Sequence, residues 1–135
     1  MKMTDIQDKI QDTFVPDETS ILESNIERAG PMFNIYEDGT INIEGKYRKI
    51  PPKHQILIYF VAQRFAYEGN LSDEETLNSD FFYERIDKSE RTIRSYLQEL
   101  REDGYIKKEK KGVHRVITEN IPDALDLVEE EVEDE

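Results

Sequence analysis

The chain has 135 residues, 36% of them charged and 36% hydrophobic, which suits one compact domain with extensions and excludes full disorder. It has no cysteine, which excludes disulfides and thiolate metal sites, and its longest apolar run, "ILIYFVA" at 56–62, is too short to span a membrane. Its start, "MKMTDIQDKIQD", lacks a signal-peptide core, so a soluble, cytoplasmic protein with no membrane partner is expected, with a formal net charge of −13.

The first thirty residues read as weak helix. Ile6, Ile10 and Phe14 recur one helical turn apart, Ser20 is a candidate cap, and Gly30-Pro31 is a stop. In "FNIYEDGTINIEG" two short alternating runs flank Asp38-Gly39, a pair that tolerates the positive φ angles of a two-residue turn, so a β-hairpin is expected. Pro51-Pro52 then opens a helix in which Ile56, Leu57, Phe60, Val61 and Phe65 share one side. Ile58, Tyr59 and Ala62 widen that stripe, which predicts burial on most of the circumference, and Gly69 ends the helix. "LSDEETLNSD" reads as a polar connector with Ser79 as cap, and "DFFYERI" as a short helix.

After a tight turn at Asp87-Lys88 comes "SERTIRSYLQELREDGYI", residues 89–106, capped by Ser89 or by Asp87. At ~100° per residue, Ile93, Tyr96, Leu97 and Leu100 fall on one side, with Arg91, Arg94, Ser95 and Gln98 opposite. Gly104 suits the left-handed position that closes a helix. "YIKKEKKGVHRVI" then gives strands at 105–109 and 113–117 around Lys110-Lys111-Gly112. In "NIPDALDLVEEEVEDE", Asn120 is a candidate cap and Ile121, Leu125, Val128 and Val132 make a heptad-like stripe on a short helix with an acidic end.

The charge is unevenly distributed. Residues 1–45 hold 3 basic and 10 acidic residues, residues 46–118 hold 15 and 12, and residues 119–135 hold none and 9. Three segments follow: an N-terminal helical segment and hairpin at 1–45, a mildly basic domain at 46–118, and an acidic helix or tail at 119–135. The acidic flanks can equally serve solubility or adaptation to high salt, although 15 isoleucines and 10 lysines argue against extreme adaptation.

The order helix, short helix, turn, helix, basic hairpin, together with Ser89, Thr92, Ile93, Leu97, Leu100, Gly104, Tyr105 and Ile106, resembles the winged helix-turn-helix family. The likeness is to regulators of the multiple-antibiotic-resistance-regulator type over roughly residues 50–118, and overall to small acidic winged-helix proteins of halophilic archaea and their plasmids or viruses. It implies an α+β winged-helix fold, extended by the N-terminal helix and hairpin and by the acidic C-terminal helix. It also implies a sequence-specific double-stranded-DNA-binding protein, a transcriptional regulator acting as a homodimer. Helix 89–103 would enter the major groove with Lys88, Ser89, Arg91, Arg94, Ser95 and Gln98, on a core of Ile93, Leu97, Leu100, Phe60, Val61, Phe82 and Ile86. Wing 107–115 would track the backbone with Lys107, Lys108, Lys110, Lys111, His114 and Arg115. The rival reading is a winged-helix adaptor in a replication, partition or transcription complex, taking a protein partner through the N-terminal segment or the C-terminal helix. No cofactor, metal site or catalytic set is expected, because His54 and His114 stand far apart without triad-like neighbours and no Gly-rich phosphate loop occurs. The acidic run at 129–135 is expected to be a mobile tail that either folds back on the wing or only solubilises.

Overall fold

The computed structural model describes residues 3–133. Helices α1 (Met3–Phe14) and α2 (Glu18–Ala29) divide at Pro16, and β1 (Phe33–Ile35) pairs antiparallel with β2 (Ile41–Ile43). A 3-10 turn at Gly45–Lys49 leads into α3 (Pro52–Glu68), followed by β3 (Leu77–Asn78), α4 (Ser79–Arg85) and α5 (Glu90–Glu102). Strands β4 (Ile106–Lys110) and β5 (Val113–Val116) form a hairpin, with β5 central in the sheet order β3-β5-β4. A second 3-10 turn, Thr118–Asn120, precedes α6 (Ile121–Glu133). The class is α+β, with two small antiparallel sheets. No described helix is long and apolar enough to cross a membrane.

One hydrophobic cluster extends from Leu22 to Val128, so the three sequence segments share a core. Helix α3 lies at its centre, buried on most sides as its broad stripe requires, from Ile56 to Ala66. Even its polar residues Gln63 and Arg64 are inside, and both are satisfied. Gln63 donates to Ser72 Oγ (3.0 Å) and Glu74 O (2.6 Å), while Arg64 donates to Thr118 Oγ1 (3.2 Å), Glu68 (3.1 Å) and Glu18 (3.2 Å). A buried guanidinium needs this many partners, because one left unpaired would cost several kcal/mol.

Several expectations change. The β1–β2 turn is longer than two residues: Tyr36 N donates to Thr40 O, and Gly39 N to Tyr36 O. Gly39 has φ +89, and a Cβ there would stand 2.6 Å from Leu71 O, so glycine is required twice over. Asp17, not Ser20, caps α2, and Asn78, not Ser79, caps α4. Asn120 does not cap α6; its side chain instead donates to Gly104 O (2.6 Å).

The largest correction concerns the C-terminal segment. Ile121, Leu125 and Val128 are fully buried against the body of the protein, so this stripe is not available to a second copy or another protein. The acidic end is helical through Glu133 instead of starting a tail at 129. Arg28 of α2 bonds both Asp126 and Glu129, and Glu131 lies 3.2 Å from His54 of α3, placing that histidine against α6 rather than at a solvated helix start. By contrast, Ile6, Ile10 and Phe14 on α1 are exposed, as is Val15 beyond it. Residues 134 and 135 lie outside the described residues.

Candidate nucleic-acid interface

Helix α5 begins at Ser89, whose hydroxyl accepts from Thr92 N at 3.1 Å. Its end has the geometry of a left-handed cap: Gly104 at φ +84, with Gly104 N donating to Arg101 O and Tyr105 N to Leu100 O. Ile93, Leu97 and Leu100 are buried in one cluster with Phe60, Val61, Phe82 and Ile86, the set the apolar spacing selects. Burial of that face fixes the direction of the other. Arg91, Arg94, Ser95 and Gln98 all point to solvent.

These side chains differ in their freedom. Arg94 is held loosely, by Glu90 at 3.8 Å and by Tyr83 Oη at 3.5 Å. Gln98 donates to Glu102 at 3.0 Å, one turn on, and would have to leave that bond to read a base. The Ser89 hydroxyl is occupied by the cap and by Thr92 Oγ1 at 2.9 Å, so its role here is to hold the helix end. Lys88 is exposed just before it.

The β4–β5 hairpin presents two different faces. Strand alternation puts Ile106, Lys108, His114 and Val116 on the α5 side, because Ile106 pairs with Val116 and Lys108 with His114. Lys107 pairs with Arg115 on the outer face. His114 is therefore only 3% exposed and makes no surface contact of the kind expected for it. Burial, then the neighbouring Arg101 and Lys108, push its imidazole down to about 4, so it is uncharged at neutral pH. Arg115 is likewise redirected: it bonds Glu109 and lies 3.6 Å from Glu75, turning away from the α5 side. Both expectations are corrected by the same cause, the two-residue period of a strand packed on one face. Lys110 and Lys111 are exposed at the hairpin end.

Between α5, α4 and the hairpin lies a cleft of about 740 Å³. Arg94, Gln98 and Arg101 line it from α5, Lys108 and Lys111 from the hairpin, and Asn78, Ser79, Asp80 and Tyr83 from the β3–α4 side. Arg101 and Tyr83 are absent from the sequence-derived set. Arg101 could have been found, because it lies only about 20° around the helix from Arg94. Tyr83 could not, since only the fold brings α4 alongside. Among the described residues, Lys88, Arg91, Arg101, Lys108, Lys110 and Lys111 have no carboxylate within ion-pair distance, while Arg28, Lys53, Arg64 and Arg115 all do. These six, with Lys107, lie on or beside α5 and the hairpin, while a second group of cations without an ion-pair partner among the described residues, Lys46, Arg48 and Lys49, lies on the 3-10 turn before α3. No family model, curated protein or solved structure matches the chain.

Proposed function

We propose that residues 46–118 are a winged-helix domain that binds double-stranded DNA as a sequence-specific transcriptional regulator. In this reading α5 enters the major groove, with Arg91, Arg94, Ser95 and Gln98 facing base edges, and the β4–β5 hairpin is the wing along the backbone. The observation that carries it is the joint placement of an exposed Arg- and Gln-bearing helix face and carboxylate-free hairpin lysines around one open cleft. Phosphates neutralised by Lys108, Lys110 and Lys111 would supply affinity, and base contacts from α5 the choice of site. The net charge of −13 does not oppose this, since its excess lies outside residues 46–118.

A second reading has its own observation. The uncovered apolar face of α1 suits a protein partner, either a second copy in a homodimer or the target of an adaptor. A polarisation titration against pooled genomic duplexes across a salt series separates the two readings. Tight binding with a steep salt slope supports the DNA reading, and binding absent even at low salt removes it. On the selected site, Arg91→Ala or Arg94→Ala is expected to cost about 1–3 kcal/mol and to relax discrimination.

A further inference from the structure

Arg101 and His114 form a pair that the reading above leaves unused. Arg101 Nη1 donates to His114 Nε2 at 2.8 Å, so Nε2 carries no proton and the ring proton belongs on Nδ1. The ring is buried on the floor of the cleft, edge-on to Phe60 of α3. The charged groups around it are Arg101 from α5, Lys108 from β4, and Lys111 and Asp80 on the cleft wall. A protonated imidazole beside a guanidinium would repel it, and the low pKa keeps the ring an acceptor at neutral pH. Arg101 is thus held at Nη1 by a buried acceptor while its side chain lines the cleft. With Arg94 turned to base edges, three cations, Arg101, Lys108 and Lys111, remain there against one lining carboxylate, Asp80.

We propose that this cleft seats the sugar-phosphate backbone of one DNA strand, with Arg101 as the central phosphate clamp and His114 as the buried acceptor that positions it. The proposal rests on the DNA reading and deepens it: the strand bordering the groove that α5 enters passes between α5 and the wing. A guanidinium anchored at one nitrogen still offers a two-pronged set of donors, which suits a phosphate better than a mobile ammonium does. His114 then contributes to DNA binding without touching DNA.

The test is a polarisation titration of the full chain against a selected duplex and a scrambled one, at several salt concentrations, with thermal unfolding run on each variant. Arg101→Gln is expected to weaken both duplexes about equally, by roughly tenfold, and to flatten the salt slope by about 0.9. His114→Leu, which removes the acceptor, is expected to weaken binding several-fold, while His114→Gln, whose carboxamide oxygen can accept, restores most of it. The double variant Arg101→Gln with His114→Leu should bind no worse than Arg101→Gln alone, a non-additivity that a merely structural histidine would not produce. If the wild-type protein binds neither duplex at low salt, the DNA reading falls and the clamp with it. If the wild type binds and Arg101→Gln changes neither affinity nor slope, the clamp is wrong while the DNA reading stands. Additive losses would remove His114 from the positioning role. Arg101 is partly exposed, so its variant keeps the test decisive even where His114→Leu fails to fold.

Discussion

At the scale of single residues, the position of a side chain on a strand outweighed its chemical type. A histidine and an arginine beside four lysines read as surface cations, yet pairing with Lys108 turns His114 inward and pairing with Lys107 turns Arg115 out to Glu75 and Glu109. Sequence alone cannot set that phase, because "KKEKKGVHR" holds a single apolar side chain, Val113, and a shift of one residue inverts every side chain. Helix α5 is the opposite case: its apolar side chains fix one rotation, so the exposed set was legible throughout. His114 also carries a pH signature. Its folded value of about 4 lies below the ordinary 6.5, so between those values the unfolded chain binds more protons than the folded one. Its contribution to stability is therefore complete above about pH 6.5 and declines as pH falls toward 4. Denaturant melts of wild type and His114→Gln at pH 7 and pH 4.5 isolate the effect, since the carboxylates titrate alike in both. The variant's stability relative to wild type should rise by on the order of 2 kcal/mol at the lower pH. A constant difference would mean that the imidazole is not held neutral by the fold.

At the scale of elements, legibility followed the strength of local pattern. Helices α3, α5 and α6 announce themselves by apolar spacing, and both hairpins by glycine in their turns. Strand β3 does not, because two residues have no alternation to show; Leu77 becomes a strand only by pairing with His114 of β5. The caps Asp17 and Asn78 stand near rival small polar residues, and the path of the incoming chain, not residue type, decides which one folds back. Helix α1 is amphipathic as read, but its stripe of Ile6, Ile10 and Phe14 stays outside the core cluster, with Ile6 and Ile10 about half exposed and Phe14 76% exposed. With the α6 stripe buried, α1 is the surface left for the proposed homodimer. Twelve residues make a marginal helix in water unless something covers the apolar face. Sedimentation at micromolar concentration is expected to give a dimer, and Ile10→Asp with Phe14→Asp to give a folded monomer whose melting temperature, unlike that of the wild type, does not vary with protein concentration, because neither side chain packs in the core. A monomeric wild type would leave α1 to a different protein.

At the scale of the whole molecule, charge and core are arranged on different principles. Charge divides by segment, which made residues 46–118 stand out in the sequence, whereas the core ignores those boundaries and joins α2, β1, β2 and α6 to α3. Long-range packing of this kind has no local signature, so the acidic end read as a tail. Its consequence is a reversed expectation for truncation. Ending the chain at Leu127 would remove not only acidic charge but also Val128, which is buried, and Glu129 and Glu131, which meet Arg28 and His54. Loss of a buried valine and the last turns of α6 costs about 2–4 kcal/mol, while the exposed ion pairs add little. That is a drop of roughly 10 °C in melting temperature for a domain of this size. Any change in DNA affinity of the truncated chain therefore reflects lost structure as well as lost charge. Neutralising the end without shortening it separates the two: Glu130→Gln, Asp134→Asn and Glu135→Gln keep every buried residue of α6. Within the described residues the α6 carboxylates that form ion pairs do so with α2 and α3, not with Lys110 or Lys111. At physiological salt the Debye length is about 8 Å, so screening weakens any long-range pull of exposed carboxylates on the hairpin lysines. The neutralised chain should melt within a degree or two of wild type and bind duplexes with affinity unchanged within about twofold at that salt. A gain of tenfold on random-sequence DNA, vanishing near 1 M salt, would instead show the acidic end competing with phosphate for the hairpin lysines.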